Sequence, residues 1–172
     1  MTTLDDLIGD FDVLDDWEDR YRHVIDLGRA LPEFPAAART ADNKVRGCAS
    51  QVWIVSSAEP SDDPILHFAG DSDALIVKGL IAIAFMMYSG KHASEILAVD
   101  AVGILRRLGL TEHLTPQRSN GFASMIERIK QCADAGLPNV IVFSGNREGM
   151  SDQQGLENCA IGLKQIMGEA EK

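Results

Sequence analysis

The sequence predicts a mixed α/β (α+β) fold. Segments of helical period fill residues 4–30 and recur beyond residue 93. Two short runs between residues 50 and 69 alternate as strands do. Between these groups lies a long apolar stretch, 74–88, whose period is helical.

Leu4, Leu7, Ile8 and Phe11 fall on one helical face. After a break at Asp12, the set Trp17, Tyr21, Val24, Ile25 and Gly28 continues as a second helix. Asp15 and Asp16 stand at its start, where carboxylates accept from free amides and suit the helix dipole. Leu31-Pro32 and Phe34-Pro35 end it, because a residue before proline avoids helical backbone. Residues 41–58 read as a loop and then a strand carrying Ser50, Val52, Ile54 and Val55. A turn rich in Pro, Ser and Asp spans 59–64, and 65–69 alternates as a second strand. The helix of 74–88 takes Asp71 or Ser72 as its cap and Gly90 as its stop. It is apolar on most faces, so it should be the buried centre.

Short helices follow at 94–97 and 102–108, the second ended by Gly109. TPQRSN, 115–120, reads as a polar loop, with Asn120 capping a helix over 121–135. Phe122, Met125, Ile126 and Ile129 form that helix's apolar face. After Gly136 the pattern changes to a turn at 137–139, a β-branched strand at 140–143, a Gly-rich loop at 144–152 and an amphipathic helix at 153–170. A single strand and helix cannot bury both their faces unaided.

At 172 residues the chain fits one domain, or one with an appendage, and can bury a core without disulfide staples. The net charge of −10 argues against nucleic acid and against an anionic membrane surface. The acidic N-terminus has no signal-peptide pattern, and the longest apolar run, 80–87, is too short to cross a bilayer. A cytoplasmic location is therefore expected. Cys48, Cys132 and Cys159 are odd in number and widely spaced, unlike a disulfide framework. No Cys-x-x-Cys or close His pair proposes a metal site. His67, His92 and His113 read as surface or packing residues.

The most informative segment is 43–53, NKVRGCASQVW. It sets Cys48 behind a glycine and two cations and then enters a strand, as a reactive thiol on a loop tip requires. Gly47 lets the backbone take conformations that a side chain forbids. Lys44 and Arg46 would favour the thiolate, which is the nucleophile. The plainer reading, two solvated loop charges, stands equally beside that one. Cys132 and Cys159 lie on apolar helix faces and read as core.

Four stretches occur in order along residues 4 to about 130: DDWEDRYRHVIDLGRALP, NKVRGCASQVW, FAGDSDALIVKGLIAI and LGLTEHLTPQRSNGFASMI. Together they resemble the SufE family of sulfur acceptors, which partner cysteine desulfurases in iron–sulfur cluster assembly. The resemblance implies a SufE/IscU-like body, with helices packed on one face of a small antiparallel sheet. It makes Cys48 the acceptor thiol, taking sulfur from the persulfide of a SufS-like desulfurase and relaying it to an iron–sulfur scaffold. Pyridoxal phosphate would sit on the desulfurase, and this chain would need no cofactor. Arg118 falls in the family's HLTPxRxxG stretch and becomes a candidate for partner contact or for steering the cysteine loop. Sulfur transfer between cysteines is thiol exchange, so one accessible thiolate suffices without an adjacent base.

The last forty residues depart from that family. GLPNVIVFSGNREGMSDQQGLENCAIGLKQIM is similar to one strand–loop–helix unit of hydroxypyruvate isomerase, a TIM-barrel enzyme. A barrel needs eight such units, so no isomerase site is carried over. The expected organisation is a sulfur-acceptor domain over 1–133 and an appended fragment over 134–172, with self-association left open. The alternative function is a SufE-like binding module, or a non-productive chimera, whose tail blocks partner docking.

Overall fold

The computed structural model describes residues 3–58 and 61–135. The turn, strand, loop and helix expected after residue 136, and Cys159, lie outside the described residues.

Helix α1 (Leu4–Val13) opens with a reciprocal cap. The Thr3 hydroxyl accepts from the Asp6 amide at 3.1 Å, and the Asp6 carboxylate accepts from the Thr3 amide at 2.8 Å. Helix α2 (Trp17–Arg29) is capped by Asp16, which accepts from the Glu18 amide at 2.9 Å. A single 3-10 turn, Ala36–Ala38, follows the proline pair.

Strands β1 (Val52–Ala58), β2 (Ile65–Ser72) and β3 (Lys91–His92) form an antiparallel sheet in that order. The register pairs Val52 with Ser72 and Ile65 with His92. Period-two alternation sends Val52, Ile54, Leu66 and Phe68 inward and leaves Ile65, His67 and Ala69 exposed. The buried face receives helix α3 (Leu75–Tyr88), whose Phe85 ring stacks with Phe68 at 6.1 Å. Ten of its fourteen residues are buried, as its near-continuous apolarity predicts.

Helix α2 lies across α3 at Gly28 and Gly79. A Cβ on Gly79 would collide with the Val24 carbonyl, so the contact depends on backbone meeting backbone. Helices α4 (Ala93–Ala98), α5 (Ala101–Arg107), α6 (Leu110–His113) and α7 (Pro116–Asp134) complete the described body. One core joins Leu7 and Phe11 of α1, Val24 of α2, the inner sheet face, α3, and Phe122, Met125 and Ile129 of α7.

The structure corrects the sequence reading in several places. TPQRSN is not a loop: α7 begins at Pro116, Thr115 is its cap and accepts from the Arg118 amide at 3.4 Å, and Asn120 lies inside the helix. Proline suits the first helical position because its missing N–H has no partner there anyway. The first strand starts at Val52, not Ser50, and the second runs on to Ser72. Neither Asp71 nor Ser72 caps α3: the cap position is Ala74, with no side-chain cap hydrogen bond. The Asp71 carboxylate is taken by two cations, and the Ser72 hydroxyl accepts from the Ala74 amide at 3.2 Å, just ahead of the helix. Strand β3 and helix α6 have no counterpart in the sequence reading, being too short to show a period.

Candidate functional site

Segment 43–45 pairs back onto β1. The Val45 amide donates to the Val52 carbonyl at 2.9 Å, and the Ile54 amide donates to the Asn43 carbonyl at 2.9 Å. Residues 46–51 thus form the tip of a hairpin, and Cys48 lies on it. Gly47 has φ +90°, which a side chain rarely adopts, and a Cβ there would stand 2.7 Å from the Ser124 hydroxyl of α7.

Both feet of the tip are anchored. The Gln51 amide donates to Asp73 at 2.9 Å, and the Ser72 hydroxyl donates to the Gln51 carbonyl at 2.7 Å. On the other side the Asn43 side-chain amide donates to the Ala38 carbonyl at 2.9 Å. The preceding loop is held by Arg39, which reaches Asp71 at 3.0 and 2.7 Å. Lys78 of α3 meets the other oxygen of Asp71 at 2.6 Å. Asp71 is only 6% exposed. Burial opposes its charge, but hydrogen bonds from Lys78 and Arg39 outweigh that and hold the carboxyl below the usual carboxylate range.

Cys48 faces inward and is half-buried. Its Sγ lies 3.4 Å from the Gly121 carbonyl oxygen, to which the thiol donates. A small pocket of about 20 Å³ opens beside it, lined by Val77, Leu80, Arg118, Phe122 and Met125. That volume admits about one water-sized atom. Gly121 allows the approach, since a Cβ at that position would stand 3.1 Å from the sulfur.

The structure therefore brings Cys48, Gly47 and Arg118 to one place. Lys44 and Arg46 lie on the same hairpin but are exposed, and the Lys44 ammonium turns to Gln51 at 3.5 Å. The expected pull of these cations toward the thiolate does not prevail. Burial pushes the Cys48 thiol above its ordinary value, because the thiolate loses more hydration than water-screened cations return. Cys132 is buried on α7, as read from its helix face. His92 and His113 are both exposed: His92 lies 2.8 Å from the Asp63 carbonyl, and His113 stacks on Trp17 at 3.8 Å.

Sequence reasoning missed two contributors, Gly121 and the Arg39–Asp71–Lys78 cluster. The Thr115-Pro116 pair was the available signal for the first, since it starts the helix early and places Gly121 in its interior. No local signal exists for the second, whose Arg39 and Asp71 are 32 residues apart.

The arrangement can protect a thiol and present it at a hairpin tip. Among the described residues no base pairs with the thiol, and no cluster of His, Cys, Asp or Glu could hold a metal ion. A family model described as "SufE: Fe-S metabolism associated domain" matches residues 5–133. The chain belongs to the SufE family. Two relatives, both described as uncharacterised SufE-like proteins, agree with the SufE assignment. One, from Rhizobium meliloti (strain 1021), is 57% identical over 139 residues, covering 80% of this chain and 99% of the relative. The other, from Rhizobium etli, is 58% identical over 133 residues, covering 76% of this chain and 89% of the relative. A solved structure, the solution structure of a hypothetical protein from Thermus thermophilus, shares the fold at TM-score 0.60 and 19% identity. It covers 77% of this chain and 93% of that one. SufE membership ties the chain to iron–sulfur metabolism. No described helix is long and apolar enough to cross a membrane.

Proposed function

We propose that this SufE-family chain is a sulfur acceptor whose carrier atom is Cys48 Sγ. A SufS-like cysteine desulfurase, holding pyridoxal phosphate, supplies a persulfide. The Cys48 thiolate attacks the outer sulfur of that persulfide, the donor S–S bond breaks, and the donor thiolate leaves with the electron pair. Cys48 is left as a persulfide and passes its sulfur on to an iron–sulfur scaffold. Removing product sulfur is what stimulates the desulfurase. The setting is the cytoplasm, and the sulfur-acceptor domain is residues 1–133.

The observation that carries this reading is the position of Cys48. It is at the tip of a hairpin anchored at both feet, beside a pocket the size of one additional atom. The apolar lining shields a sulfur from water and from stray thiols, and a tip can swing out toward another protein. Arg118 lines the same pocket, which supports a role for it in meeting a partner or the anionic persulfide. Cys48→Ser should fold normally and give no stimulation of a cysteine desulfurase. Stimulation equal to the parent would refute the role. Removal of residues 136–172 should leave stimulation unchanged; a gain would instead favour a tail that blocks docking.

A further inference from the structure

The contact between the carrier thiol and α7 has a chemical asymmetry. Cys48 Sγ stands 3.4 Å from the Gly121 carbonyl oxygen, and this bond exists only while Sγ carries a hydrogen. The carbonyl accepts and cannot donate. Once a second sulfur is attached, Sγ is bonded to Cβ and to that sulfur and has no hydrogen left to give.

Gly121 is otherwise an odd choice for this place. It lies six residues into a nineteen-residue helix, where glycine is the least favourable residue after proline. The helix accepts it where a Cβ would press on Cys48 Sγ at 3.1 Å and on its Cα at 3.4 Å. A second interlock repeats the pattern one turn on. Ser124 meets the position that a Gly47 side chain would take, at 2.7 Å. The hairpin tip is thus fitted closely onto one face of α7, and its one polar tie there is the thiol itself.

We propose that Gly121 is a positioning residue that tells the empty carrier from the loaded one. This rests on reading Cys48 as the sulfur carrier. In the empty state the thiol proton bridges Sγ and the Gly121 carbonyl, and the hairpin is closed on α7. Transfer requires that proton to leave for solvent, which breaks the tie. The thiolate then attacks the donor's outer sulfur, the Sγ–S bond forms, the donor S–S bond breaks, and the donor thiolate departs with that bond's electrons. In the loaded state two lone-pair atoms, Sγ and the carbonyl oxygen, face one another with no hydrogen between them. Loading therefore loosens the hairpin on α7, so that the new sulfur, shielded by the pocket at rest, can swing out when the next acceptor arrives. Unloading restores the hydrogen and closes the tip again. The carrier's own cargo sets its conformation, without a separate effector.

The test is amide hydrogen exchange of residues 46–51 in the full chain, in four forms: the thiol, Cys48→Ser, Cys48→Ala and the chain loaded at Cys48 with inorganic polysulfide. Serine keeps a donor toward Gly121, whereas alanine does not. The thiol and Cys48→Ser should be protected alike. Cys48→Ala and the loaded chain should exchange about two- to tenfold faster, the factor expected for one modest hydrogen bond lost. Equal exchange in all four forms would overturn the proposal, as would slower exchange on loading. The serine and alanine arms need no sulfur chemistry. A chain that refused sulfur would count against the carrier reading, while those two arms still decided the latch.

Discussion

Arg39 and Asp71 are joined by two hydrogen bonds, at 3.0 and 2.7 Å, from a loop residue to an almost fully buried strand residue. Together with Lys78 this ties the segment before the Cys48 hairpin to β2 and α3. Asp71→Asn should therefore destabilise the chain by about 2 kcal/mol. That is below the value for a fully buried pair, since both cations reach water. A shift in the denaturant midpoint checks it.

The same carboxylate fixes a pH dependence. Its pKa is depressed in the folded state, so its stabilising effect is complete above the ordinary carboxylate value of about 4. The effect is lost as pH falls through the lower, folded value. Stability of the parent should drop across that acid range, and the gap between parent and Asp71→Asn should close there. A gap that widened toward acid would show the sign to be wrong.

Cys48 titrates in the opposite sense. Burial raises its pKa, so the pH profile of alkylation by iodoacetamide should have its midpoint above the ordinary thiol value of about 8.5. Unfolding the chain in denaturant should bring the midpoint back. A folded midpoint of about 7 would mean that Lys44 and Arg46 dominate after all.

Gly121→Ala separates stability from reactivity. Alanine favours helix by about 1 kcal/mol in an interior position, but its Cβ would crowd Cys48 at 3.1 Å. The melting temperature should hold or rise while alkylation of Cys48 at fixed pH becomes faster. A lower melting temperature with unchanged alkylation would contradict this.

Tyr88 is fully buried, and its hydroxyl finds no hydrogen-bond partner among the described residues. Burial, with Asp100 nearby, pushes its pKa up to about 12, so it is neutral at any working pH. Tyr88→Phe removes an unsatisfied group and should leave stability equal or raise it by about 1 kcal/mol, read from thermal unfolding. A comparable loss would reveal a partner for the hydroxyl.

Much of this was legible in the sequence, for identifiable reasons. Leu7, Phe11 and Val24 announce α1 and α2 because a surface helix must repeat its apolar face every turn. The buried α3 follows from an apolar run that no surface helix would carry. Cys48 stood out because Gly47 and the following strand mark a loop tip. The start of α7 was misplaced because Thr115–Asn120 is polar throughout, and polarity says exposure rather than loop. The state of the thiol is left between two readings because Lys44 and Arg46 are adjacent in sequence, whereas the apolar lining comes from α3 and α7. Adjacent charges can be read from a chain; burial by distant residues cannot.

The most direct measurement is mass spectrometry of the intact chain and its peptides after incubation with a cysteine desulfurase and cysteine. The peptide holding Cys48 should gain one sulfur, about 32 Da, removable by a reductant, while those holding Cys132 and Cys159 stay unchanged. Sulfur on Cys132 or Cys159 with none on Cys48, or no gain anywhere in the chain, would contradict the account.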